Sequence, residues 1–233
     1  MKTTLFIPIR NEIDGLKQIL PMIKKEWVDE IIFVDGNSTD GSFEYLKNNG
    51  YFVIKQKSKG TCGAYWECCE VAKGDIIIAF SPDGNSLPEL IPILAEKMKD
   101  GYDMVIASRY ADGAKSYDDD FITAFGNWMF TQLVNVLFSA RYTDSIVMFR
   151  AFKKNLLSQL ELTSGNLPVL EMQLTIGCAK KKLKVLDIPG DEPIRIGGVR
   201  KMNPLINGCA LLWCVFWEWI TWRRQSNVYG KNF

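Results

Sequence analysis

The stretch from Ile31 to Ser42 reads IIFVDGNSTDGS and decides the fold. Four apolar residues, three of them β-branched, precede Asp35 and a polar turn, and Asp40-Gly41-Ser42 is typical of the start of a helix. The pattern predicts a strand, a tight turn and a helix, with Asp35 at the carboxyl end of the strand. In an open α/β sheet, ligands bind at that end of the strands.

A second stretch, DIIIAFSPDGNSLPE from Asp75 to Glu89, repeats this pattern. Its run Asp75–Phe80 is apolar after the first residue, without alternation, which is typical of a strand buried on both faces of a parallel sheet. The run leads into a polar loop that carries Asp83 and Asn85. Two acidic loops at strand ends predict a site for a nucleotide and its metal ion.

Strands and helices alternate up to about residue 110, which predicts βαβ units on a mostly parallel sheet flanked by helices. The polar stretch Tyr110–Asp120 follows, and we expect its acidic run Asp118–Asp120 to lie in a mobile, solvated loop. The predicted strands are Thr3–Ile9, Ile31–Val34, Tyr51–Lys55, Asp75–Phe80, Met104–Ala107, Val147–Arg150 and Leu183–Ile188. The predicted helices are Ile13–Glu26, Ser42–Asn49, Gly63–Lys73, Leu87–Lys99, Phe121–Phe138, Pro168–Lys182 and Gly208–Trp222.

Length and composition set wide limits on the number of domains, the binding partners and the cellular compartment. The 233 residues suit one large α/β domain, or one domain with a tail, and 47% hydrophobic residues suffice for a sizeable core. The net charge of +1 gives no overall field that would attract nucleic acid. The chain does not begin with a basic segment and an apolar stretch, so we expect no secretory signal. The six cysteines form no Cys-x-x-Cys pair, and we expect buried, reduced thiols in a cytoplasmic protein.

The sequence contains no histidine. This excludes histidine-based catalytic triads and zinc sites with imidazole ligands. A metal ion would have to be held mainly by oxygen atoms, which favours Mg²⁺ or Mn²⁺ as the cofactor.

The segment Gly208–Trp222 is apolar apart from Glu218 and Thr221, contains four of the seven tryptophans, and is followed by Arg223-Arg224. A helix that spans a membrane needs about 20 apolar residues, so this segment is too short. Tryptophan with terminal arginine suits a helix that lies in a membrane interface. The alternative is a helix packed against the domain, or against a second copy of the chain in a homodimer.

Several short motifs occur in a fixed order along the chain. The first are Ile7-Pro8, Asn11-Glu12, Val34-Asp35 and Ser38-Thr39-Asp40-Gly41-Ser42. The later ones are Ser108-Arg109-Tyr110, Asp144 followed by Met148-Phe149-Arg150, and Ile188-Pro189 with Arg195, Gly198 and Lys201. In order and spacing they resemble family 2 glycosyltransferases with the GT-A fold, in the branch that makes polyprenyl (dolichyl) phosphate sugars. The resemblance covers roughly residues 3 to 202.

The resemblance implies an α/β, GT-A-like domain over residues 1–204, with a mostly parallel sheet. Within it we expect a nucleotide-binding half, 1–110, and an acceptor half, 111–204. Residues 205–233 would form the apolar, tryptophan-rich helix and tail.

For Asp35 one interpretation is a carboxylate that accepts hydrogen bonds from a nucleoside, and the other is a turn acid that caps the next helix. For Asp40 we expect the capping role. The resemblance implies that Glu12 lines the same nucleotide pocket and that Pro8 shapes its first loop.

The segment Ser81-Pro82-Asp83-Gly84-Asn85 occupies the position where the family usually has an Asp-x-Asp motif followed by a polar metal ligand. The resemblance implies that Asp83 is the retained acid, which binds the nucleotide through a metal ion, and that Asn85 is the following metal ligand. Ser81 replaces the first acid. A divalent cation held there would neutralise the leaving diphosphate. The alternative is a plain Asp-Gly turn.

The resemblance also implies that Glu171 is a catalytic base if the acceptor is a hydroxyl, whereas an ionised phosphate acceptor needs no base. It places Asp144, the second residue expected to be catalytic, near the acceptor. The alternative for Glu171 is an exposed helix acid, and the alternative for Asp144 is a loop acid. The residues expected to bind phosphate or acceptor are Arg109, Arg195, Arg200 and Lys201. Their alternative is a solvated basic surface.

The expected function is metal-dependent transfer of a sugar, with inversion, from a nucleotide-diphosphate sugar to a lipid phosphate or a lipid-linked glycan. The expected location is the cytoplasmic face of a membrane. A nucleotidyltransferase is one alternative, but it should carry a glycine-rich basic loop after the first strand, and Pro8–Glu12 lacks one. A non-catalytic member of the fold is the other, and Ser81 is its best support.

Overall fold

Seven strands form one sheet in the computed structural model, which describes residues 1–160, 162, 169–196 and 204–229, with side chains of the last segment described from 206 to 223. In chain order the strands are β1 (Thr3–Ile9), β2 (Glu30–Asp35), β3 (Val53–Lys55), β4 (Ile76–Ala79), β5 (Met104–Ser108), β6 (Arg150–Lys153) and β7 (Val185–Pro189). In space their order is β3-β2-β1-β4-β6-β5-β7.

Helices connect these strands and cover the sheet. They are α1 (Ile13–Ile19), α2 (Ser42–Asn48), α3 (Gly60–Val71), α4 (Leu90–Lys99), α5 (Phe121–Phe138), α6 (Leu156–Gln159), α7 (Leu170–Lys180) and α8 (Pro204–Tyr229). Two 3₁₀ turns, Leu20–Met22 and Lys25–Trp27, link α1 to β2.

All strand pairs are parallel except those of β6, which runs antiparallel to both β4 and β5. The carboxyl ends of β1, β2, β4, β5 and β7 therefore meet at one edge of the sheet, and the loops that follow them can share a site. The predicted fold class, a mostly parallel α/β sheet with flanking helices and an apolar helix at its end, is confirmed. The division at residue 110 stays a prediction.

Helices cover both faces of the sheet, which explains why its strands are apolar without alternation. On one face Leu5 and Ile7 of β1 pack with residues of α1 and α4, such as Leu16 and Leu94. On the other face Phe6 packs with residues of α3, α6 and α7. The two layers hold the strand ends, and so the site, on a rigid base.

Three predicted elements differ most from the observed bounds. The strand Val147–Arg150 is shifted, because only Arg150 belongs to the observed β6. Arg150 is fully buried and its guanidinium donates to the carbonyl oxygens of Val147 and Glu171, so a charged residue that looked like a strand end begins the strand instead. The first helix ends early, before Pro21, and the last one is longer than predicted.

The cysteines are free thiols in the structure, and Cys68, Cys178 and Cys214 are buried. Burial raises the pKa of Cys178 and of Cys214 to about 12, so these thiols stay protonated and unreactive at neutral pH. Cys209 on α8 is exposed, so the prediction of burial is wrong for that residue. The cytoplasmic location stays a prediction.

Helices α5, α7 and α8 pack around a third apolar cluster that includes Phe130, Met172 and Val215. Glu218, the acid in the middle of the tail, points to this side and pairs with Lys180 at 2.8 Å. The opposite surfaces of both outer helices are apolar and exposed. The exposed large side chains there are Phe121, Ile122, Phe125, Trp128 and Val136 of α5 and Ile206, Leu212, Trp213, Phe216, Trp217 and Ile220 of α8.

By length and composition alone, α5 could also cross a membrane, since its 18 residues have a mean hydropathy of 1.2. Only 28% of it is buried in the protein. A core helix of a soluble protein passes the same test, but such a helix is mostly buried. From the sequence, membrane contact was predicted only for the tail, although Phe121–Phe138 is a strongly apolar helix.

Candidate functional site

The loops after β1 and β2 are joined by hydrogen bonds between motif residues. The Asn11 side-chain oxygen accepts from the Thr39 N–H at 2.7 Å. The Asp40 carboxylate accepts from the Ile13 N–H, which opens α1, and from the Ser42 N–H, which opens α2, both at 3.0 Å. Burial would raise the pKa of Asp40, but the hydrogen bonds from the Ser42 hydroxyl and from these two N–H groups outweigh it and lower the pKa. Asp40 thus has the structural role predicted for it.

The predicted nucleoside residues lie together at the ends of these two strands. Pro8 of β1 stands beside Val34 of β2, one residue before Asp35. Asp35 is 1% exposed and its carboxylate accepts from the Ser38 N–H at 3.1 Å. Glu12 is partly buried at the start of α1. The local contact fits a turn acid as well, so the nucleotide-binding role of Asp35 stays a prediction.

A cavity of about 380 Å³ opens beside the loop after β4. Ser81, Asp83 and Asn85 line it. Asp83 is 5% exposed, and Gly84 turns the chain with φ of +89°, a conformation that favours glycine. The buried strand therefore delivers one carboxylate and one amide into the same cavity, as the sequence predicted.

Arg109, which follows β5, lies in the wall of this cavity and is held by carboxylates. Its Nε and Nη2 bind the two oxygens of Asp144 at 2.6 and 3.1 Å. Its Nη1 lies 3.5 Å from Asp119 and 3.5 Å from Glu192. A guanidinium that is 8% exposed and faces three carboxylates is fixed in place. Arg109 lines the cavity in this fixed position.

The pKa values of these acids follow from this geometry. Burial would raise the pKa of Asp144, but the adjoining Arg109 guanidinium and the backbone N–H groups of Ile146 and Val147 outweigh it and hold the pKa below its usual range. Burial raises the pKa of Glu192, against the lowering effect of Arg109. Glu192 also accepts from the Ser116 hydroxyl and, at 3.3 Å, from the Asn85 amide.

Arg195 enters the cavity from the segment after β7. Its Nη1 lies 3.1 Å from the Asp83 Oδ2, and its Nε lies 3.8 Å from Asp118. The next residue, Ile196, donates its N–H to the Asp83 carbonyl oxygen at 2.8 Å. The segment is thereby fastened to the loop that carries the predicted metal ligands.

The chemistry of this position suits a divalent cation with oxygen ligands. Asp83 and Asn85 supply hard donors, and the positive charge of Arg195 balances the buried Asp83 carboxylate where a cation would do so. In the part of the chain that the structure describes, no three carboxylate or thiol side chains cluster as a metal site. The fit therefore rests on one carboxylate, one amide and the phosphate oxygens of a ligand.

The model of glycosyl transferase family 2 matches residues 4–160. The chain belongs to that family. The dolichol-phosphate mannosyltransferase of Pyrococcus furiosus is 27% identical over 87% of this chain and 60% of its own length. The undecaprenyl-phosphate mannosyltransferase of Micrococcus luteus is 23% identical over 93% of this chain and 94% of its own.

A solved structure gives the same fold. Glucosyl-3-phosphoglycerate synthase of Mycobacterium tuberculosis, in complex with Mg²⁺ and uridine diphosphate, matches with a TM-score of 0.72. The match covers 92% of this chain and 79% of the other, at 17% sequence identity. The GT-A fold that the motifs implied is thus confirmed, and the protein is a family 2 glycosyltransferase.

Glu171 lies in the first turn of α7 of this glycosyltransferase. Its carboxylate accepts from the Tyr65 hydroxyl at 3.2 Å, and it is not one of the described residues that line the 380 Å³ cavity. Complete burial and the nearby Glu171 raise the pKa of Tyr65 well above its usual value. The catalytic role of Glu171 stays a prediction.

Several acids of the site were missed, and the expectation of a solvated run at Asp118–Asp120 was wrong, because Asp118 lines the cavity and lies 3.8 Å from Arg195. Glu192 follows the end of β7 by three residues, the same signal that singled out Asp35 and Asp83. Asp119 was assigned to a solvated run, yet its side chain is 3% exposed and bonded to Arg109 and Tyr110. Asp120 accepts from the Thr123 N–H at 2.7 Å and caps α5.

Some predicted residues lie elsewhere. Arg200 and Lys201 lie outside the described residues, as does the glycine pair before them. A separate cavity of about 560 Å³ beside β7, which Arg141 and Lys182 line, contains none of the predicted site residues among the described part of its lining.

Proposed function

We propose that the protein transfers a sugar, with inversion, from a nucleotide-diphosphate sugar to a lipid phosphate or a lipid-linked glycan, with the help of Mg²⁺ or Mn²⁺. The observation that carries the proposal is the cavity where the ends of β4, β5 and β7 meet, in which Asp83, Asn85, Arg109 and Arg195 converge. Membership of the family and the likeness to mannosyltransferases with polyprenyl phosphate acceptors support it.

The donor would lie across the ends of β1, β2 and β4. Glu12 and Asp35 would bind the nucleoside, with Pro8 shaping the first loop. Asp83 and Asn85 would hold the cation. That cation supplies charge neutralisation for the diphosphate as the bond between sugar and phosphate breaks. The solved relative carries Mg²⁺ and uridine diphosphate on the same fold, which supports this arrangement.

Arg109 would stabilise negative charge on the far side of the cavity. Because Asp144 and Glu192 fix its guanidinium before any ligand arrives, little reorganisation is needed when phosphate oxygens approach. Asp144 then acts as a positioning residue for Arg109. Arg195, with Arg200 and Lys201, would bind phosphate oxygens of donor or acceptor.

The proposed class of acceptor rests on helix α5, which lines the cavity with some side chains and exposes apolar ones beside it. Thr123 and Asn127 of this helix line the cavity, while Phe121, Ile122 and Phe125 of the same turns are exposed. An apolar surface next to the site suits an acceptor that is held in a membrane. A lipid phosphate is already ionised and needs no base. Glu171 would serve as the base only for a hydroxyl acceptor on a lipid-linked glycan.

The membrane contact would be peripheral and on the cytoplasmic face. The exposed apolar side chains of α8 include Trp213 and Trp217, whose rings stack at 5.7 Å. Tryptophan favours the membrane interface. A homodimer through the same surface is the alternative.

A non-catalytic, nucleotide-sugar-binding role is the second candidate, because Ser81 stands where the family usually has an acid. A panel of UDP, GDP, CDP and ADP in a thermal-shift assay, each with and without Mn²⁺ or Mg²⁺, separates the candidates. We expect a metal-dependent rise in melting temperature with one diphosphate, since a ligand that binds only the folded state stabilises it. Asp83→Asn should lose that rise, whereas Asp100→Asn, an exposed acid at the end of α4, should keep it.

Turnover is the second step of the test. The nucleotide sugar of the selected base, with polyprenyl phosphate in vesicles, should release the nucleoside diphosphate and give a lipid-linked sugar. Release of pyrophosphate would favour a nucleotidyltransferase. Binding without release of either product, over all donors and acceptors tried, would favour the non-catalytic role.

A further inference from the structure

Arg195 and a divalent cation would compete for the same carboxylate oxygen. The Arg195 Nη1 lies 3.1 Å from the Asp83 Oδ2, and the Asp83 side chain is 8% exposed. A cation ligated by this oxygen would bring two positive charges against a guanidinium that is already in contact with it. Like charges at such a distance repel strongly where water is scarce. Each arrangement therefore disfavours the other at this oxygen.

The segment that carries Arg195 is fastened across the loop of Asp83 at further points. Ile196 donates its N–H to the Asp83 carbonyl oxygen at 2.8 Å, and Arg195 donates its N–H to Asp118 at 3.3 Å. The Ile196 side chain covers Gly84 so closely that a β-carbon there would lie 2.5 Å from its Cγ1. Residues 190–196, which we name the strap, thus cover the predicted metal ligands.

We propose that the strap is a latch: the ion pair between Arg195 and Asp83 keeps the cation site closed, and binding of the cation with its nucleotide opens it. Opening frees Arg195 to bind phosphate oxygens, for which a guanidinium is well shaped. The cation alone binds weakly, because it must displace Arg195 without the compensating phosphates. The site therefore fills with the cation and the diphosphate together.

This inference rests on the proposed function, because it takes Asp83 as the cation ligand. It adds that Arg195 sets the apparent affinity for the cation. When a binding-competent state is only a small fraction of the population, the apparent affinity falls by that fraction. A latch that is closed in about nine molecules of ten weakens cation binding by about tenfold.

The experiment measures binding of Mn²⁺ alone, without nucleotide, from the loss of the electron paramagnetic resonance signal of free Mn²⁺. Arg195→Gln removes the competing charge, and we expect it to bind Mn²⁺ about tenfold more tightly than the wild type. Arg141→Gln changes the net charge equally but lies in the other cavity, so its affinity should equal that of the wild type. Asp83→Asn should abolish binding.

A second pair of variants loosens the strap without changing charge. Ile196→Ala removes the contact with Gly84 and should raise the affinity for Mn²⁺, by less than Arg195→Gln does. Ile194→Ala, at a residue of the same strap that is 69% exposed, should have no effect. Melting curves of all variants establish that they are folded.

The outcomes separate the latch from the metal site. If Arg195→Gln and Ile196→Ala bind Mn²⁺ no better than the wild type while Asp83→Asn still abolishes binding, the latch is wrong and the metal site stands. If Asp83→Asn binds as well as the wild type, both fail. If Arg195→Gln loses turnover as well as gaining affinity, the role of Arg195 on the phosphates is supported.

Discussion

Replacement of Gly15 by alanine tests how the fold supports the site. Gly15 is buried in α1. A β-carbon there would lie 2.2 Å from the carbonyl oxygen of Pro82 and 3.2 Å from the Cα of Asp83, whereas ordinary contacts begin at 3.4 Å. Both neighbours are backbone atoms, so α1 or the loop after β4 has to move by about an ångström.

The magnitude follows from two opposing effects. Overpacking of this kind costs about 1–3 kcal/mol. Alanine gains up to about 1 kcal/mol over glycine from helix propensity. Because so close an approach to backbone atoms belongs in the upper part of that range, about 2–3 kcal/mol, and the gain in propensity offsets about 1 kcal/mol, we expect Gly15→Ala to lower the free energy of unfolding by about 1–2 kcal/mol. For a chain of this length, each kcal/mol shifts the melting temperature by about 2–4 °C, so a fall of about 2–8 °C is expected.

Gly126→Ala is the matched control, because Gly126 lies in helix α5 with no atom within 4 Å of its β-carbon position. It should gain up to about 1 kcal/mol. Urea unfolding followed by tryptophan fluorescence, together with thermal melts, measures both variants. If Gly15→Ala is as stable as Gly126→Ala, α1 does not rest on the Pro82 carbonyl, and the argument that this helix sets the position of Asp83 is refuted.

Three further predictions concern charge and surface. Arg109→Met should lower the free energy of unfolding in urea by about 3–5 kcal/mol, because it leaves buried carboxylates without their partner. Burial raises the pKa of Asp187, so the folded protein is stabilised while this carboxyl is protonated. That stability is lost as the pH rises from the usual aspartate range through the pKa of the folded state. Asp187→Asn should therefore flatten the dependence of the free energy of unfolding on pH in this range. Replacement of both Trp213 and Trp217 by serine should reduce flotation with vesicles, with melting temperature as the control.

Local patterns predicted the elements and the acids that depend on neighbours in the sequence. Asp35 and Asp83 were found because a buried strand and the turn after it lie within a dozen residues. Asp40 was assigned correctly for the same reason, since its partner Ser42 lies two residues away, whereas its bond with the distant Ile13 was not predicted. Such contacts leave their signal in one short window of sequence.

The ion cluster around Arg109 could not be predicted in this way. Asp144 is 35 residues away from Arg109, and Glu192 is 76 residues away from its partner Ser116. These distances in sequence are closed only by the pairing of β5 with β6 and β7. As long as that pairing is unknown, Asp119 is predicted to be one acid of a solvated run. The strap was invisible for the same reason, because Arg195 and Asp83 meet only after the whole sheet has formed.

The place of β6 in the sheet has a consequence for how the chain folds during synthesis. Strands β1 to β4 pair among themselves and can assemble as soon as Ala79 has emerged. The neighbour of β4 on its other side is Arg150–Lys153, made about 70 residues later. Until then the backbone N–H and C=O groups along one edge of β4 have no partner strand. Such an edge can pair with another chain and so promotes aggregation. Slow pairing over such a long loop makes insertion of β6, with its buried arginine, a late step of folding, which only the pairing of β7 with β5 can follow.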